Sequence, residues 1–142
     1  MARLLRPDIN TKFHIDYDWW TKQPRDVRVL TREHLCPACK DKLGEHMDND
    51  NIDWIDPDTG EITLVDGLTY SVRECCSQRN DYITRTTPLA ASIFRVLIAT
   101  GNTPLSATEF HEKIGRSDPD AILRILLGQR VRTHYGIKPI LE

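Results

Sequence analysis

The sequence predicts an α+β fold, in which a small β-rich module precedes a helical module. Two observations indicate this order. Short stretches of alternating apolar and polar residues, separated by turn motifs, occur within residues 1–87. Residues 88–142 instead contain successive amphipathic segments with helix-capping motifs at their ends. We therefore divide the chain into domains 1–87 and 88–142.

The composition is that of a folded chain with little overall charge. Of the 142 residues, 39% are hydrophobic and 28% are charged, which is typical of globular domains. Residues 1–87 carry 12 Lys/Arg and 16 Asp/Glu, whereas residues 88–142 carry 7 and 5. The net charge of −2 gives no global attraction to nucleic acid or anionic lipid. We expect the acidic front and the basic rear to pack around Trp19, Trp20 or Trp54.

The sequence shows no membrane span and no secretory signal. No apolar run approaches the roughly 18 residues of a membrane-spanning helix. The basic residues near Met1 are not followed by a long apolar stretch. We therefore expect a cytoplasmic protein that contacts no membrane and keeps its cysteines reduced.

The first segment with a clear pattern is predicted to be a strand. Residues 12–20 (KFHIDYDWW) alternate apolar and polar side chains, the period of a half-buried strand. The polar face carries His14, Asp16 and Asp18, which form either a metal-binding cluster or, more simply, a solvated face. Apolar residues at helical spacing follow over 27–35 and lead into Cys36.

The four cysteines occur as two tight pairs. Cys36 and Cys39 enclose Pro-Ala, a spacing that lets two thiolates face one ion. Cys75 and Cys76 follow after 35 intervening residues. Because the front module has a limited apolar core, a closed metal site would supply part of its folding free energy. We predict one structural zinc ion bound by Cys36, Cys39, Cys75 and Cys76.

A β-hairpin is predicted between the two cysteine pairs. Apolar and polar residues over 52–55 and 61–65 flank an Asp-Pro-Asp-Thr-Gly turn. Residues 68–72 form a further predicted strand that leads to Cys75. Antiparallel strands bracketed by cysteine pairs are the general plan of zinc ribbons and knuckles. The Asp56–Asp58 cluster is better explained as part of a turn than as a calcium site. A calcium-binding loop of the EF-hand type ends with a glutamate at its twelfth position, and none is present here.

Alternatives to a site of four thiolates stay open at this point. Adjacent cysteines project to opposite sides of an extended strand, so both reach one ion only if the chain turns, for example into a helix over 77–83. Otherwise His34 or His46 completes the tetrahedron. Four metal-free cysteines, a vicinal disulfide or a thiol redox pair are the remaining interpretations.

Residues 88–142 follow the order of a winged helix-turn-helix. Helices are predicted over 88–101, 106–115 and 118–128. Their starts carry a Thr-Pro N-cap, an S-x-x-E capping box and an Asp-Pro pair, and a glycine closes each predicted helix. Residues 131–140 alternate loosely about a glycine, as a short β wing would.

Two parts of the chain resemble bacterial proteins. The phrase NTPLSATEF, followed by IGRSDP, is similar to the passage from helix 1 through a short strand into helix 2 in bacterial winged-helix regulators. This resemblance covers about residues 88–142 and implies transcription regulation. The start FHIDYDWW and the later DYIT resemble a bacterial protein group with no known activity.

Duplex DNA is one predicted partner of the helical module. In winged helices the third helix enters the major groove and the wing contacts phosphate. Asp118 and Asp120, at the start of helix 3, place negative charge where this helix would come close to the DNA phosphates. The predicted nucleic-acid-binding residues form a basic rim around it: Arg116, Arg124, Arg130, Arg132 and Lys138. A protein partner or a second copy of the chain is the alternative.

We predict that the protein is not an enzyme. The sequence lacks a Gly-rich phosphate loop, H-E-x-x-H and G-x-S-x-G, and no small-molecule substrate is evident. Glu33 or His34 acting on Cys36 is the thiol-enzyme alternative. The favoured prediction is a zinc-stabilised DNA-binding or regulator-like protein.

Overall fold

The computed structural model describes residues 6–43, 51–55 and 58–140. In chain order the elements are β1 (Phe13–Ile15), α1 (Tyr17–Thr21), α2 (Val27–Glu33), α3 (Pro37–Leu43), β2 (Asn51–Ile55), β3 (Ile62–Asp66), α4 (Gly67–Glu74), a 3₁₀ turn (Cys76–Gln78), α5 (Leu89–Ala99), α6 (Ala107–Ile114), α7 (Pro119–Leu126), α8 (Gln129–His134) and β4 (Ile137–Pro139). The described residues combine helices with two small two-stranded sheets, which is an α+β architecture, as predicted. Within these ranges, no helix has both the length and the apolarity needed to cross a bilayer.

The predicted hairpin between the cysteine pairs is present. β2 and β3 pair antiparallel from Asn51–Asp66 to Ile55–Ile62. Asp56 and Pro57, which open the predicted turn, lie outside the described residues, as does the side chain of Trp54. The register therefore confirms the hairpin, while its first turn residues and the role of Trp54 stay predictions.

The three helices predicted after residue 87 are also present. The Ser106 hydroxyl accepts the Glu109 N–H, and the Glu109 carboxylate accepts the Ser106 N–H, so the capping box of α6 is formed. Gly115 ends α6 with a φ of 80°. Asp118 caps α7 by accepting the Ala121 N–H. α5 buries most of its length and packs against α6 and α7.

The start of α5 differs from the prediction by one residue. Pro88 occupies the N-cap position and makes no side-chain capping bond. The Thr87 hydroxyl, predicted to cap the helix, instead accepts the Thr84 N–H at 3.0 Å. Thr87 therefore stabilises the loop before α5 rather than the helix.

The predicted strand over 12–20 is wrong after Ile15. The Asp16 carboxylate accepts the Trp19 N–H at 3.1 Å and so caps α1. An aspartate at this position satisfies a helix N–H that has no helical acceptor. His14 lies in a strand, whereas Asp18 lies in a helix, so the two do not share a strand face.

The predicted strand over 68–72 and the predicted β wing are also wrong. Residues 68–72 lie in α4, while residues 129–134 form α8 before the single strand β4. Each segment has two buried residues four positions apart. These are Leu68 and Val72 in the first segment, and Val131 and Tyr135 in the second. A spacing of four residues keeps two side chains on one face of a strand and equally of a helix.

β1 joins the beginning of the chain to its end. It pairs antiparallel with β4, with Ile15 opposite Ile137. On its other side, the Phe13 N–H donates to the Leu105 carbonyl at 2.8 Å, and the reciprocal bond measures 3.0 Å. Phe13 and Ile15 are fully buried. The strand that β4 requires is therefore supplied by residues near the start of the chain.

Buried residues from both predicted domains form one apolar cluster. Trp20, Leu30 and Val72 belong to it together with Phe94 and Tyr135. The Trp20 indole donates from Nε1 to the Tyr135 carbonyl at 3.0 Å. The two halves thus pack together around Trp20, while the boundary at residues 87 and 88 stays a prediction.

Candidate metal centre

The first cysteine pair lies at the start of α3. Pro37 is the first helical residue, where its missing N–H removes no helical hydrogen bond. The Lys40 N–H donates to the Cys36 carbonyl at 3.0 Å, so helical bonding begins at Cys36. Cys36 and Cys39 are therefore separated by one helical turn and lie on the same side of the chain.

The second pair lies where the chain leaves α4. Cys75 has φ −125° and ψ −67°, a conformation that is neither helical nor extended. Cys76 then begins the short 3₁₀ turn, in place of the longer helix predicted over 77–83. Because the chain turns at Cys75, adjacent thiols that a strand would separate can face one point.

All four thiol sulfurs meet at one point in the fold. The Sγ atoms of Cys36, Cys39, Cys75 and Cys76 all lie within 4.8 Å of one another. Cys36 Sγ lies 3.8 Å from Cys75 Sγ and 3.5 Å from Cys76 Sγ. All four cysteines are free. The cluster can hold a metal ion.

These distances fit a tetrahedral thiolate site. A tetrahedron with Zn–S bonds of about 2.3 Å has S–S edges of about 3.8 Å, whereas a disulfide requires about 2.05 Å. Cys39 is 6% exposed and Cys76 is completely buried, while Cys36 and Cys75 are half-buried. Within the described ranges, no other group of three or more His, Cys, Asp or Glu side chains converges in this way.

The protein environment affects the thiols unequally. Burial raises the pKa of Cys39 and of Cys76. Burial also opposes ionisation of Cys36, but hydrogen bonds from the Cys39 N–H and the neighbouring thiols outweigh it and lower the pKa of Cys36 to about 7. The Cys36 N–H donates to Cys76 Sγ at 3.2 Å. A metal ion entering the cluster must therefore displace thiol protons.

His34 is engaged by an arginine of α5. Its Nδ1 accepts a hydrogen bond from Arg95 Nε at 3.0 Å. Burial and the Arg95 charge lower the pKa of His34 to about 4, so the imidazole is neutral at neutral pH. Since Nδ1 is occupied, it is not available to act as a base on Cys36. His46, the other predicted alternative ligand, lies outside the described residues.

Arg95 connects the two cysteine-bearing segments. Besides its bond to His34, its Nη1 donates to the Tyr82 carbonyl at 2.6 Å. The Tyr82 hydroxyl donates to the Arg95 carbonyl, also at 2.6 Å. His34 lies just before Cys36, and Tyr82 lies shortly after Cys76. One side chain from α5 therefore ties together the chain segments that carry the cysteine pairs.

A small cavity lies beside the cysteine cluster. Its volume is about 180 Å³, and its lining includes Cys36, Cys76, Arg79, Asp81 and Arg95. Arg79 Nε donates to the Asp81 carboxylate at 3.1 Å. The lining residues therefore include two cysteines, two arginines and one aspartate.

Arg116 and Lys138, two of the five predicted nucleic-acid-binding residues, are held by contacts within the fold. The half-buried Arg116 guanidinium donates to the Thr87 carbonyl. Lys138 Nζ lies 3.8 Å from the Asp16 carboxylate and 5.3 Å from the centre of a Trp19 ring. These contacts hold both cations against the protein.

The other three predicted residues lie on the surface, where Arg130 also hydrogen-bonds to the Tyr135 side chain. Arg124 is exposed on α7, and Arg130 and Arg132 are exposed on α8. Leu127, between the two helices, is 44% exposed. We call the four residues Arg124, Leu127, Arg130 and Arg132 the α7–α8 face.

Sequence reasoning missed the arginine that links the cysteine segments. Arg95 is the single charged residue within the apolar segment LAASIFRVLIA of α5. A lone charge on a buried helix requires a polar partner, so this pattern indicated a structural contact. The pattern did not identify His34 and Tyr82 as the partners, because they lie in distant parts of the sequence.

Comparison of the chain with protein-family models, with curated proteins and with solved structures found no match.

Proposed function

We propose that the four cysteines bind one structural zinc ion in a non-enzymatic protein. The observation that supports this most strongly is the approach of all four Sγ atoms to within 4.8 Å of one another. Four thiolate ligands in a tetrahedral arrangement favour zinc or iron over harder cations. Four protein ligands also leave no open position for water or substrate, which is typical of structural zinc. A reducing cytoplasm would keep the thiols available.

The role of this ion would be to hold the segment around α3 against the end of α4. Cys36 and Cys39 belong to the segment around α3, whereas Cys75 and Cys76 follow α4. Without a metal, these segments are joined near the site by contacts such as those of Arg95. Because an unfolded chain does not preform the site, the free energy of zinc binding would add to folding stability.

Native mass spectrometry with elemental analysis tests the zinc centre. We expect one zinc ion per chain in the protein as isolated. Cys36→Ser should lose the ion and melt at a lower temperature, and a chelator should lower the melting temperature of the wild type but not of this variant. Ser77→Ala is the matched control, because Ser77 adjoins Cys76 without belonging to the Sγ cluster. A metal-free wild type, or visible absorption from bound iron, would contradict the proposal.

Duplex DNA binding through the α7–α8 face is a second proposed function. Its support is the packing of α6 against α7 across a short turn that begins at Gly115, together with three exposed arginines on α7 and α8. Asp118 and Asp120 at the start of α7 repel phosphate. The arginines that follow them would therefore supply the contact, mainly with the DNA backbone.

A fluorescence-polarisation titration with random-sequence duplex tests DNA binding. If three arginines each neutralise one phosphate, log affinity should fall against log salt with a slope of about −3. Arg130→Ala with Arg132→Ala should weaken binding to all sequences alike. The matched control replaces two exposed cations outside this face, Arg6 and Lys22. No binding at about 50 mM salt would reject DNA and favour a protein partner or a second copy of the chain.

A further inference from the structure

We propose that Cys36 and Cys76 form a peroxide-reactive modification site, at which oxidation creates a disulfide and releases the metal. This inference rests on the proposed zinc centre and adds a chemical reaction to it. The reactant is hydrogen peroxide or another small hydroperoxide. Cys36 would be the thiolate that attacks peroxide, and Cys76 the thiolate that completes the disulfide.

The cavity distinguishes these two cysteines from the other two. Both Cys36 and Cys76 line the cavity of about 180 Å³, whereas Cys39 and Cys75 do not. Hydrogen peroxide is little larger than water, so a cavity of this size admits it. Cys36 is half-buried and can be reached by solvent, while Cys76 is completely buried. The accessible sulfur would therefore react first.

The two sulfurs are also close enough to react with each other. Cys36 Sγ and Cys76 Sγ are separated by 3.5 Å, compared with 3.8 Å between Cys36 Sγ and Cys75 Sγ. The Cys36 N–H contacts Cys76 Sγ directly at 3.2 Å. A movement of about 1.5 Å would bring the pair to the disulfide bond length of about 2.05 Å.

The reaction balances with peroxide as the oxidant. The Cys36 thiolate attacks one peroxide oxygen, an S–O bond forms, and the O–O bond breaks to release hydroxide. The Cys76 thiolate then attacks the Cys36 sulfenic acid sulfur, forms the S–S bond and releases a second hydroxide. Two protons convert the hydroxides to water. Zinc would lose two of its four ligands and leave the site.

The charges around the cavity support the first step. Arg79 and Arg95 line the same cavity as Cys36 and Cys76. Their positive charge would stabilise the departing hydroxide. The Asp81 carboxylate, bonded to Arg79, offsets part of that charge. Arg79 and Arg95 carry two positive charges, whereas Asp81 carries one negative charge. The lining therefore has a net positive charge when the cysteine sulfurs are not counted.

Peroxide treatment of the zinc-loaded full chain tests this site. Native mass spectrometry first establishes that zinc is present, so that a missing metal is recognised as failure of the zinc proposal alone. We then expect hydrogen peroxide to cause complete loss of the bound zinc, detected with a chromogenic chelator. Thiol reductant and added zinc should restore it. Zinc retained under excess peroxide would overturn the inference.

Peptide mapping identifies the disulfide. Trypsin should produce EHLCPACK, with Cys36 and Cys39, joined to ECCSQR, with Cys75 and Cys76. Fragmentation within each peptide should assign the bond to Cys36 and Cys76, with Cys39 and Cys75 still open to alkylation. Dimedone added during the reaction should label Cys36. A bond of Cys36 to Cys75, or between Cys75 and Cys76, would overturn the assignment.

Two arginine variants separate the role of the cavity from general thiol oxidation. Arg79→Ala should slow zinc release by peroxide while leaving the same final disulfide. Arg85→Ala is the matched control, because Arg85 is exposed and does not line the cavity. Equal rates of zinc release in wild type and both variants would show that the charged cavity does not assist the reaction and would contradict that part of the inference.

Discussion

Arg95 Nε donates a hydrogen bond to His34 Nδ1 at 3.0 Å, and this bond joins α5 to the C-cap residue of α2. The His34 ring also lies 5.0 Å from the Phe94 ring. Helix α5 therefore holds the segment that leads to Cys36 by both a polar and an aromatic contact. Arg95, which is not part of the cysteine cluster, therefore helps to position that cluster.

Removing the arginine should destabilise the fold. Arg95→Ala loses the bonds to His34 and Tyr82 and leaves the partly buried His34 nitrogen without its donor. We expect the free energy of unfolding to fall by about 1–3 kcal/mol. Urea denaturation of the zinc-loaded protein measures this loss. Arg85→Ala, at an exposed position, is the control, and equal stability of the two variants would contradict the structural role of Arg95.

Both members of the adjacent cysteine pair should contribute to metal affinity. Cys75→Ser and Cys76→Ser each remove one of four convergent sulfurs. Loss of a residue that only supports a ligand typically costs 10–100-fold in affinity, so we expect loss of a ligand to cost at least about 100-fold. Competition with a chromogenic chelator measures the dissociation constants. Unchanged affinity in either variant would show that this cysteine is not a ligand.

Gly136 should be far less tolerant of substitution than Gly115. Both glycines have positive φ, 67° and 80°, a conformation that costs other residues roughly 1–2 kcal/mol. A Cβ on Gly136 would lie 2.4 Å from Trp20 Nε1 and 2.8 Å from the Trp19 ring, whereas a Cβ on Gly115 has no neighbour within 4 Å. Gly136→Ala should therefore lose about 1–3 kcal/mol more than Gly115→Ala.

Thermal and urea unfolding of the two alanine variants check this difference. Gly115→Ala is the control, because it isolates the backbone penalty. Equal losses would mean that the Trp19 and Trp20 rings do not pack against Gly136.

Local signals in the sequence predicted the C-terminal helices well. The Ser106–Glu109 capping box and the Asp118 cap act within one turn, so the residues that form them are adjacent in sequence. The convergence of the cysteines was predictable in part, because two close pairs indicate a shared ion. The turn at Cys75 was not predictable, because its backbone conformation depends on where α4 ends.

Two segments in which the spacing of apolar residues fits both a strand and a helix were predicted incorrectly. Leu68 with Val72, and Val131 with Tyr135, satisfy strand and helix spacing equally. The partner of β4 was also missed, because it comes from β1, which lies more than a hundred residues earlier in the chain. Such a pairing depends on tertiary packing, which no local pattern encodes.

The helical module should depend on β1 for its stability. Phe13 and Ile15 are fully buried, and Phe13 bonds to Leu105 on one side of β1 while β4 pairs on the other. Burial of two such side chains contributes about 1.5–3 kcal/mol each. A fragment of residues 88–142 should therefore melt at a lower temperature than the full chain, and Phe13→Ala should destabilise the full chain by about 3–5 kcal/mol. Val29→Ala, at a 60% exposed site on α2, is the control for Phe13→Ala. Calorimetry of the four proteins makes the comparison, and an equally stable fragment would instead indicate that residues 88–142 fold as an independent domain.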